Sequence, residues 1–462
     1  MVFSSNLFLF AFLPVFLVCY YLLPFRARSA LLLVFSYVFY GWWRPDFALL
    51  LLGVSLGTYG LTLLMESPAC KARRMQVLTL GVGLNLLALG YFKYFNFGVD
   101  SFNAILTWVG LESVAYTKVI LPIGLSFYIF QAISYMVDVY RGDAPKTENV
   151  FDFLAFISFF PQLVAGPVLR YQPLADQFRH REHSWRIFSQ GCLIFMAGFT
   201  GKVLIADPMA PMVDAAFAVP NPTFVDAWLG TVSYTIQLFF DFSGYSTMAI
   251  GLGLMVGFHF PKNFNDPYIS ASITEFWRRW HMSLSEWLKC YLYIPLGGNR
   301  HGRLRNYLAL FLTMVLGGMW HGANWTFVVW GIWHGGILAL EKLWRETHPN
   351  PTLPRPVAVA WTLLLVMIGW VFFRAADVGA ALKVLAAMAG FSGWAMSPSL
   401  EWQVAPERLL VMGFGAVFAF ALPWVRQRVD GHPVRLLLVP LFLWAVATLS
   451  SQAFTPFLYF QF

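Results

Sequence analysis

Three histidines stand in strongly apolar surroundings, and two of them sit where an imidazole could move a proton. His321 lies in Gly317-Gly318-Met319-Trp320-His321-Gly322, inside an apolar run from Tyr307 to Trp344. An ionisable group is costly in such a run and marks function by default. Burial keeps an imidazole neutral, which suits a general base. The competing reading is a neutral histidine bonded to a carbonyl freed where the glycines break the helix, and the residues alone leave both open. His281, in Trp277-Arg278-Arg279-Trp280-His281, reads as an interfacial histidine among tryptophans. Joined to His321 at a cavity floor, it becomes a second acid/base or orienting group. His334 follows His321 by 13 residues, off its helical face, and is expected to be structural. No H-E-x-x-H or paired-cysteine spacing accompanies the three, so no metal is expected.

Among carboxylates, Asp241 is the only charge between Thr231 and Phe260. It reads as a group orienting the histidine site or a donor, or as a cap on a helix restarting at Ser243. Asp138 precedes Arg141 by three residues and is expected to pair with it. Arg278, Arg279, Lys289, Arg300, Arg303 and Arg305 form a basic rim able to receive the phosphates of a nucleotide-bearing donor, although loop topology alone would also produce them. There is no Walker loop and no G-x-S-x-G elbow, which argues against phosphoryl-driven transport and an ordinary serine hydrolase.

The elements that must position these groups belong to a membrane protein. Of 462 residues, 58% are hydrophobic and 12% charged, against the roughly 25% charge of soluble domains. The 18% aromatic content suits interfacial girdles and a packed transmembrane interior. The formal charge of +8 is first explained by cytoplasmic loops, and nucleic acid is not an expected partner. Cys19, Cys70, Cys192 and Cys290 are scattered, so neither a disulfide framework nor a zinc knuckle is expected.

Met1 to Pro24 reads as a retained first span. Further apolar runs lie near 29 to 43, 47 to 65, 76 to 92, 117 to 137, 186 to 205, 224 to 260, 307 to 344, 358 to 373, 408 to 424 and 436 to 454. At about 20 apolar residues per crossing these predict roughly eleven to thirteen spans. The chain is therefore read as all-α, a single polytopic domain over 1–462 with its core motifs in about 117–344. Arg26, Arg28, Lys71, Arg73 and Arg74 place the N-terminus outside, and they place 141–186 and Lys262–Arg305 on the cytoplasmic side.

Within that last segment, Ser272-Ile273-Thr274-Glu275 is a capping-box pattern, and Ile273, Phe276, Trp277, Trp280, Leu284, Trp287, Leu288 and Tyr291 recur at helical spacing. The expected element is one amphipathic helix at the membrane surface or in a cleft, with His281 about 20° beyond Leu288 at the border of its apolar stripe. The Gly317–Gly322 segment is expected to break the 307–344 run into two helices, and Phe159–Pro167 to form a re-entrant hairpin. Together they predict an interior funnel.

These motifs resemble the membrane-bound O-acyltransferase family, and within it the branch of alginate O-acetylases. The resemblance is carried by Met1–Ser5, LPIGLSFYIFQAISYMVDVYRG from Leu121, PQLVAGPVLR from Pro161, DFSGYSTMAIG from Asp241, ITEFWRRWHMS from Ile273, YIPLGGNR from Tyr293, GGMWHGAN from Gly317 and the terminal Phe457–Phe462. It implies a multi-helix funnel in a bacterial inner membrane, with His321 as the family's catalytic histidine and His281 as the second motif histidine. Arg278, Arg279 and Lys289 would meet the donor, and Asp241 and Asn324 would support the site. The implied activity takes acetyl from a cytoplasmic thioester, acetyl-CoA, with no tightly bound cofactor. The acetyl group crosses the bilayer to periplasmic acetyltransferase partners for O-acetylation of alginate, while relatives with the same motifs serve bacterial cellulose and more distant ones teichoic acids. The rivals from other classes are a transporter that exports an acyl carrier or glycan unchanged and a scaffold of an export complex.

Overall fold

The computed structural model describes residues 1–164, 166–300, 302–348, 353–429 and 436–451. Ala165 of the Pro161–Arg170 motif, the last residues of the 436–454 run and the terminal Phe457–Phe462 motif lie outside the described residues. All regular elements among those residues are helical, and they group into two compact units.

The first unit comprises Met1–Cys192 and Ala249–Pro261. It holds α1 (Leu13–Leu22), α2 (Phe25–Gly41), α3 (Pro45–Met65), α4 (Arg74–Leu89), α5 (Phe95–Trp108), α6 (Leu125–Arg141), α7 (Val150–Ser158), α8 (Phe160–Leu163) and α9 (Ala175–Arg179). The Asn149 side chain caps α7 by accepting the Phe151 N–H. The expected hairpin at 159–167 takes the form of one buried helical turn, α8, set off from α7 by Phe159. Asp138 is fully buried on α6, and its ion pair is with Arg170 at 3.6 Å; Arg141, its expected partner, is exposed. The three-residue spacing was a weaker cue than the turn at Gly142, which ends the helix just after Arg141.

The second unit comprises Leu193–Met248 and Lys262–Phe462. It contains most of α10 (Trp185–Gly201) and of α12 (Phe224–Met255), with α11 (Asp207–Ala218) between them. After these come α13 (Ile273–Arg279), α14 (Met282–Leu288), α15 (Arg303–His321), α16 (Trp325–Thr347), α17 (Arg355–Arg374), α18 (Val378–Met388), α19 (Pro398–Glu401), α20 (Pro406–Val429) and α21 (Leu438–Ser451). In this unit α10 and α12 approach through glycines: a Cβ on Gly198 would lie 2.5 Å from the Gly244 carbonyl oxygen and 2.8 Å from Met248 N. Such close approach brings the side chains one turn away together. Lys202, in the π-helical turn Lys202–Ala206, bonds Asp207 and Asp241, each at 2.7 Å, with all three side chains buried. A charge in an apolar interior persists when paired and bonded in this way. The α15–α16 pair uses the same device, since a Cβ on Gly331 would lie 2.7 Å from the Met314 carbonyl oxygen.

Six described helices are long and apolar enough to cross a membrane: Pro45–Met65, Pro68–Trp108, Trp185–Ala218, Phe224–Met255, Arg355–Arg374 and Pro406–Val425. This is a multi-pass membrane protein. The count by length and composition is smaller than eleven to thirteen because several apolar runs fold as shorter helices. Phe8–Leu22, for example, is a shorter apolar helix, and α2 has 17 residues.

The packing of α10 on α12 yields a direct test. Gly198→Ala should lower thermal stability in detergent by about 1–3 kcal/mol, the range for overpacking against backbone. Gly53→Ala, where a Cβ meets open space, should leave the melting temperature unchanged; equal effects at both positions would remove the close-approach account.

Candidate active site

The site is assembled in the second unit from two helix interruptions. In the first, Ser272 Oγ accepts the Glu275 N–H at 3.1 Å, and Glu275 reaches back to the Ala271 N–H at 2.8 Å, starting α13 as its capping pattern predicts. The expected single helix from Ile273 to Tyr291 does not continue. It stops at Arg279, Trp280 is extended, and His281 is left-handed at φ 46°, ψ 53° before α14 begins at Met282. Segment 263–265 satisfies the groups that the break frees. The Asn263 carbonyl accepts the Met282 N–H at 2.9 Å, its Oδ1 accepts the Ser283 N–H at 3.2 Å, and the Asn265 N–H donates to the Arg279 carbonyl at 2.9 Å. A histidine in the left-handed region is uncommon and persists where its surroundings over-determine it. The turn moves the imidazole from the border of the stripe into the interior, where it is 1% exposed.

In the second interruption α15 runs through Gly317 and Gly318 and ends at His321, with Gly322 as its C-cap. The predicted break therefore falls one turn later than the first glycines. Asn324 caps α16, its Oδ1 accepting the Thr326 N–H at 3.1 Å and its Nδ2 donating to the Ala376 carbonyl at 2.9 Å. The His321 ring sits among Trp320, Trp330 and Phe373, with centroids 5.0, 5.3 and 5.2 Å away.

These interruptions bring His281 and His321 to a ring separation of 6.4 Å, and both line a cavity of about 300 Å³. Arg278, Lys289, Tyr293 and Trp330 share its wall. Of the basic rim, Arg278 is exposed and Lys289 pairs with Glu286 at 3.2 Å. Arg279 does not line the cavity; it bonds Glu275 at 2.9 Å and the Asn265 carbonyl at 3.0 Å, holding the first interruption. His334 is fully buried, with no hydrogen bond to either ring nitrogen among the described residues, and lies outside the cavity wall, edge-on to Trp277 and Trp330. Asp241 is not a cap, because α12 is continuous through Ser243, and its hydrogen bond goes to Lys202. Lys202 was the missed partner, and a lone cation in one apolar run beside a lone anion in another was the available signal. Asn263 was also missed, and nothing in its spacing announces it. Among the described residues no group of three or more His, Cys, Asp or Glu converges on a metal position.

Burial among Phe242, Phe264 and Trp320 pushes the His281 imidazole down to about 3, so it is neutral near pH 7. A neutral imidazole bonded at one nitrogen can accept a hydrogen bond at the other. A second imidazole lies 6.4 Å away on the same wall, a spacing that can receive a hydroxyl between two rings able to act as acid or base.

The family profile of the membrane-bound O-acyltransferases matches residues 142–376. The chain is 52% identical to a "Probable alginate O-acetylase AlgI" of Pseudomonas putida and 49% identical to one of Azotobacter vinelandii, each over 100% of both chains. It is 37% identical to a "Peptidoglycan O-acetyltransferase" of Helicobacter pylori over 85% of this chain and 80% of that one. This chain belongs to the membrane-bound O-acyltransferase family, and it is an acyltransferase.

The His281 environment carries a pH prediction. Its folded value lies below the ordinary 6.5, so the unfolded chain binds the extra proton. The neutral form's stabilisation is full above pH 6.5 and falls toward pH 3, by about 1.4 kcal/mol per pH unit. Between pH 7 and pH 5 the thermal stability of His281→Gln should therefore fall less than that of the unaltered protein; parallel falls would refute burial of the neutral ring.

Proposed function

We propose that this enzyme transfers acetyl from cytoplasmic acetyl-CoA and passes it across the bacterial inner membrane for O-acetylation of alginate, working with periplasmic acetyltransferases. The observation that carries this reading is the pair His281 and His321 on one cavity wall, 6.4 Å apart. The acceptor is argued from the full-length relatives at 52% and 49% identity, both named for alginate, against 37% for the one named for peptidoglycan.

His321 takes the proton from the acceptor hydroxyl as its oxygen attacks the thioester carbonyl. The tetrahedral intermediate collapses by breaking the carbon–sulfur bond, and the departing thiolate receives the proton from the imidazolium. One C–O bond forms, one C–S bond breaks, and the proton passes from alcohol to thiol. His281, neutral and weakly basic, orients the hydroxyl. The cavity's mostly apolar wall suits the slender arm of an acyl thioester and protects it from water. Arg278 and Lys289, both on the cavity wall, would meet donor phosphates. Positive-inside reasoning sets Lys262–Arg305 in the cytoplasm and the N-terminus in the periplasm.

His321→Ala should reduce alginate acetylation by about 10²–10⁴-fold while the protein remains inserted, the usual worth of a positioned base. Purified protein given labelled acetyl-CoA and acceptor should release CoA in a His321-dependent way. Intact donor on the far side of proteoliposomes would replace this reading with transport.

A cysteine at Arg303, whose side chain is 84% exposed, tests orientation in a background lacking the four native cysteines. An impermeant thiol reagent should label it only from the cytoplasmic face. Periplasmic labelling would invert the topology and deny a cytoplasmic donor this route.

A further inference from the structure

The function proposed above gives His281 an orienting role, and that role requires one particular ring nitrogen to keep its lone pair. Asn263 decides which. Its side chain is 1% exposed, and its Oδ1 receives the Ser283 N–H at 3.2 Å and the Ser283 hydroxyl at 2.9 Å, with His281 Nδ1 at 3.1 Å. A backbone N–H only donates, so the atom facing Ser283 N must be the amide oxygen, not the nitrogen. An amide oxygen only accepts. His281 Nδ1 must therefore carry the hydrogen, and the neutral ring has its lone pair on Nε2. That Nε2 is buried and makes no hydrogen bond among the described residues, on a residue that lines the cavity shared with His321.

We propose that Asn263 is a positioning residue for acyl transfer: it fixes His281 in the Nδ1–H tautomer, so that Nε2 accepts a hydrogen bond from the acceptor hydroxyl while His321 takes that proton. The proposal rests on the functional reading above for its consequence, but its geometry stands without it. The same asparagine holds the left-handed turn through the Met282 N–H, so tautomer and ring direction are set by one side chain and its own backbone. Among the described residues Asn263 Oδ1 is the hydrogen-bond partner of the His281 ring. Phe242 from α12, Phe264 and Trp320 from α15 surround the ring with aromatic faces and edges. The titratable groups around it are His321 on α15 and, on the cavity wall, Arg278 on α13 with Lys289 and Tyr293 in the π-helical turn after α14. None of these competes for Nδ1. A histidine held in the wrong tautomer loses its function even where its position is kept.

Three readouts test this. Histidine ring ¹⁵N spectra of the detergent-solubilised protein, with His281 assigned by loss of its signals in His281→Ala, should show a protonated Nδ1 and an unprotonated Nε2. A protonated Nε2 would overturn the proposal. In CoA-release assays Asn263→Ala should lower kcat by about 10–100-fold with KM for acetyl-CoA little changed, the scale on which orienting partners of histidines act elsewhere. The double variant Asn263→Ala/His281→Ala should be no slower than His281→Ala, because both changes act through one ring; additive losses would overturn the proposal.

Asn263→Asp separates positioning from mere support of the turn. It keeps the accepting oxygen but places a carboxylate against Nδ1–H, which favours the imidazolium and removes the Nε2 lone pair as pH falls. Its acidic limb in a pH–rate profile should therefore lie at higher pH than that of the unaltered enzyme, with activity recovering toward pH 8. Equal loss at every pH would indicate a purely structural role. The stated tautomer in a protein whose His321→Ala variant retains activity would refute the functional reading alone. The opposite tautomer with an inactive His321→Ala variant would refute this proposal alone.

Discussion

The hydrogen bonds from Asn263 to the turn at His281 are the contacts on which the geometry of the site depends. A helix interrupted in apolar surroundings exposes N–H and C=O groups that no solvent can satisfy, each left unmade at about 1–3 kcal/mol. Segment 263–265 supplies those partners for residues 279–283, through the Asn263 carbonyl, its Oδ1 and the Asn265 N–H. Only with that repair can His281 leave the helical path and enter the interior. The end of α15 meets the same constraint, and Gly322 and Asn324 close it on either side before α16 starts. Both candidate histidines thus stand at chain interruptions that nearby polar groups satisfy.

The rest of the second unit obeys the same rule with charge. Lys202 is held by Asp207 and Asp241 because α10 and α12 touch through Gly198 and Gly244, and the ammonium is then within 2.7 Å of both carboxylates. Asp226 is held likewise, accepting the Thr223 and Ser397 N–H groups. Removing one partner from such a buried set leaves a charge without compensation, which costs far more than the set contributes as a whole. These groups are structural by virtue of being satisfied. His281 Nε2, on a residue of the cavity wall, is buried without a hydrogen-bond partner among the described residues.

Much of this was legible in the residues. Apolar runs located the helices, Ser272 and Glu275 the start of α13, and the improbable position of His321 marked a residue that lines the cavity. The break at His281 was invisible because seven helical residues on each side keep the apolar period in phase across a two-residue interruption. The partner that stabilises it lies 18 residues earlier and follows no periodic pattern. Gly317 and Gly318 looked like a helix break, yet they remain helical; a Cβ on Gly318 would overlap the Phe327 carbonyl, so that glycine serves the contact between α15 and α16. Asp241 could be recognised as needing a partner, but which cation reached it depended on a helix crossing set by glycines. Spacing along one helix reports neighbours within a turn or two; pairings such as Asp138 with Arg170 are made by tertiary packing.

The two histidines are not equivalent in their settings. His281 is enclosed by three aromatic side chains and bonded at Nδ1 to a neutral amide oxygen. His321 closes the last turn of α15, where the carbonyl ends of the helix present partial negative charge. That asymmetry follows from where each chain interruption falls: one at a helix C-terminus, the other in a turn secured by an asparagine.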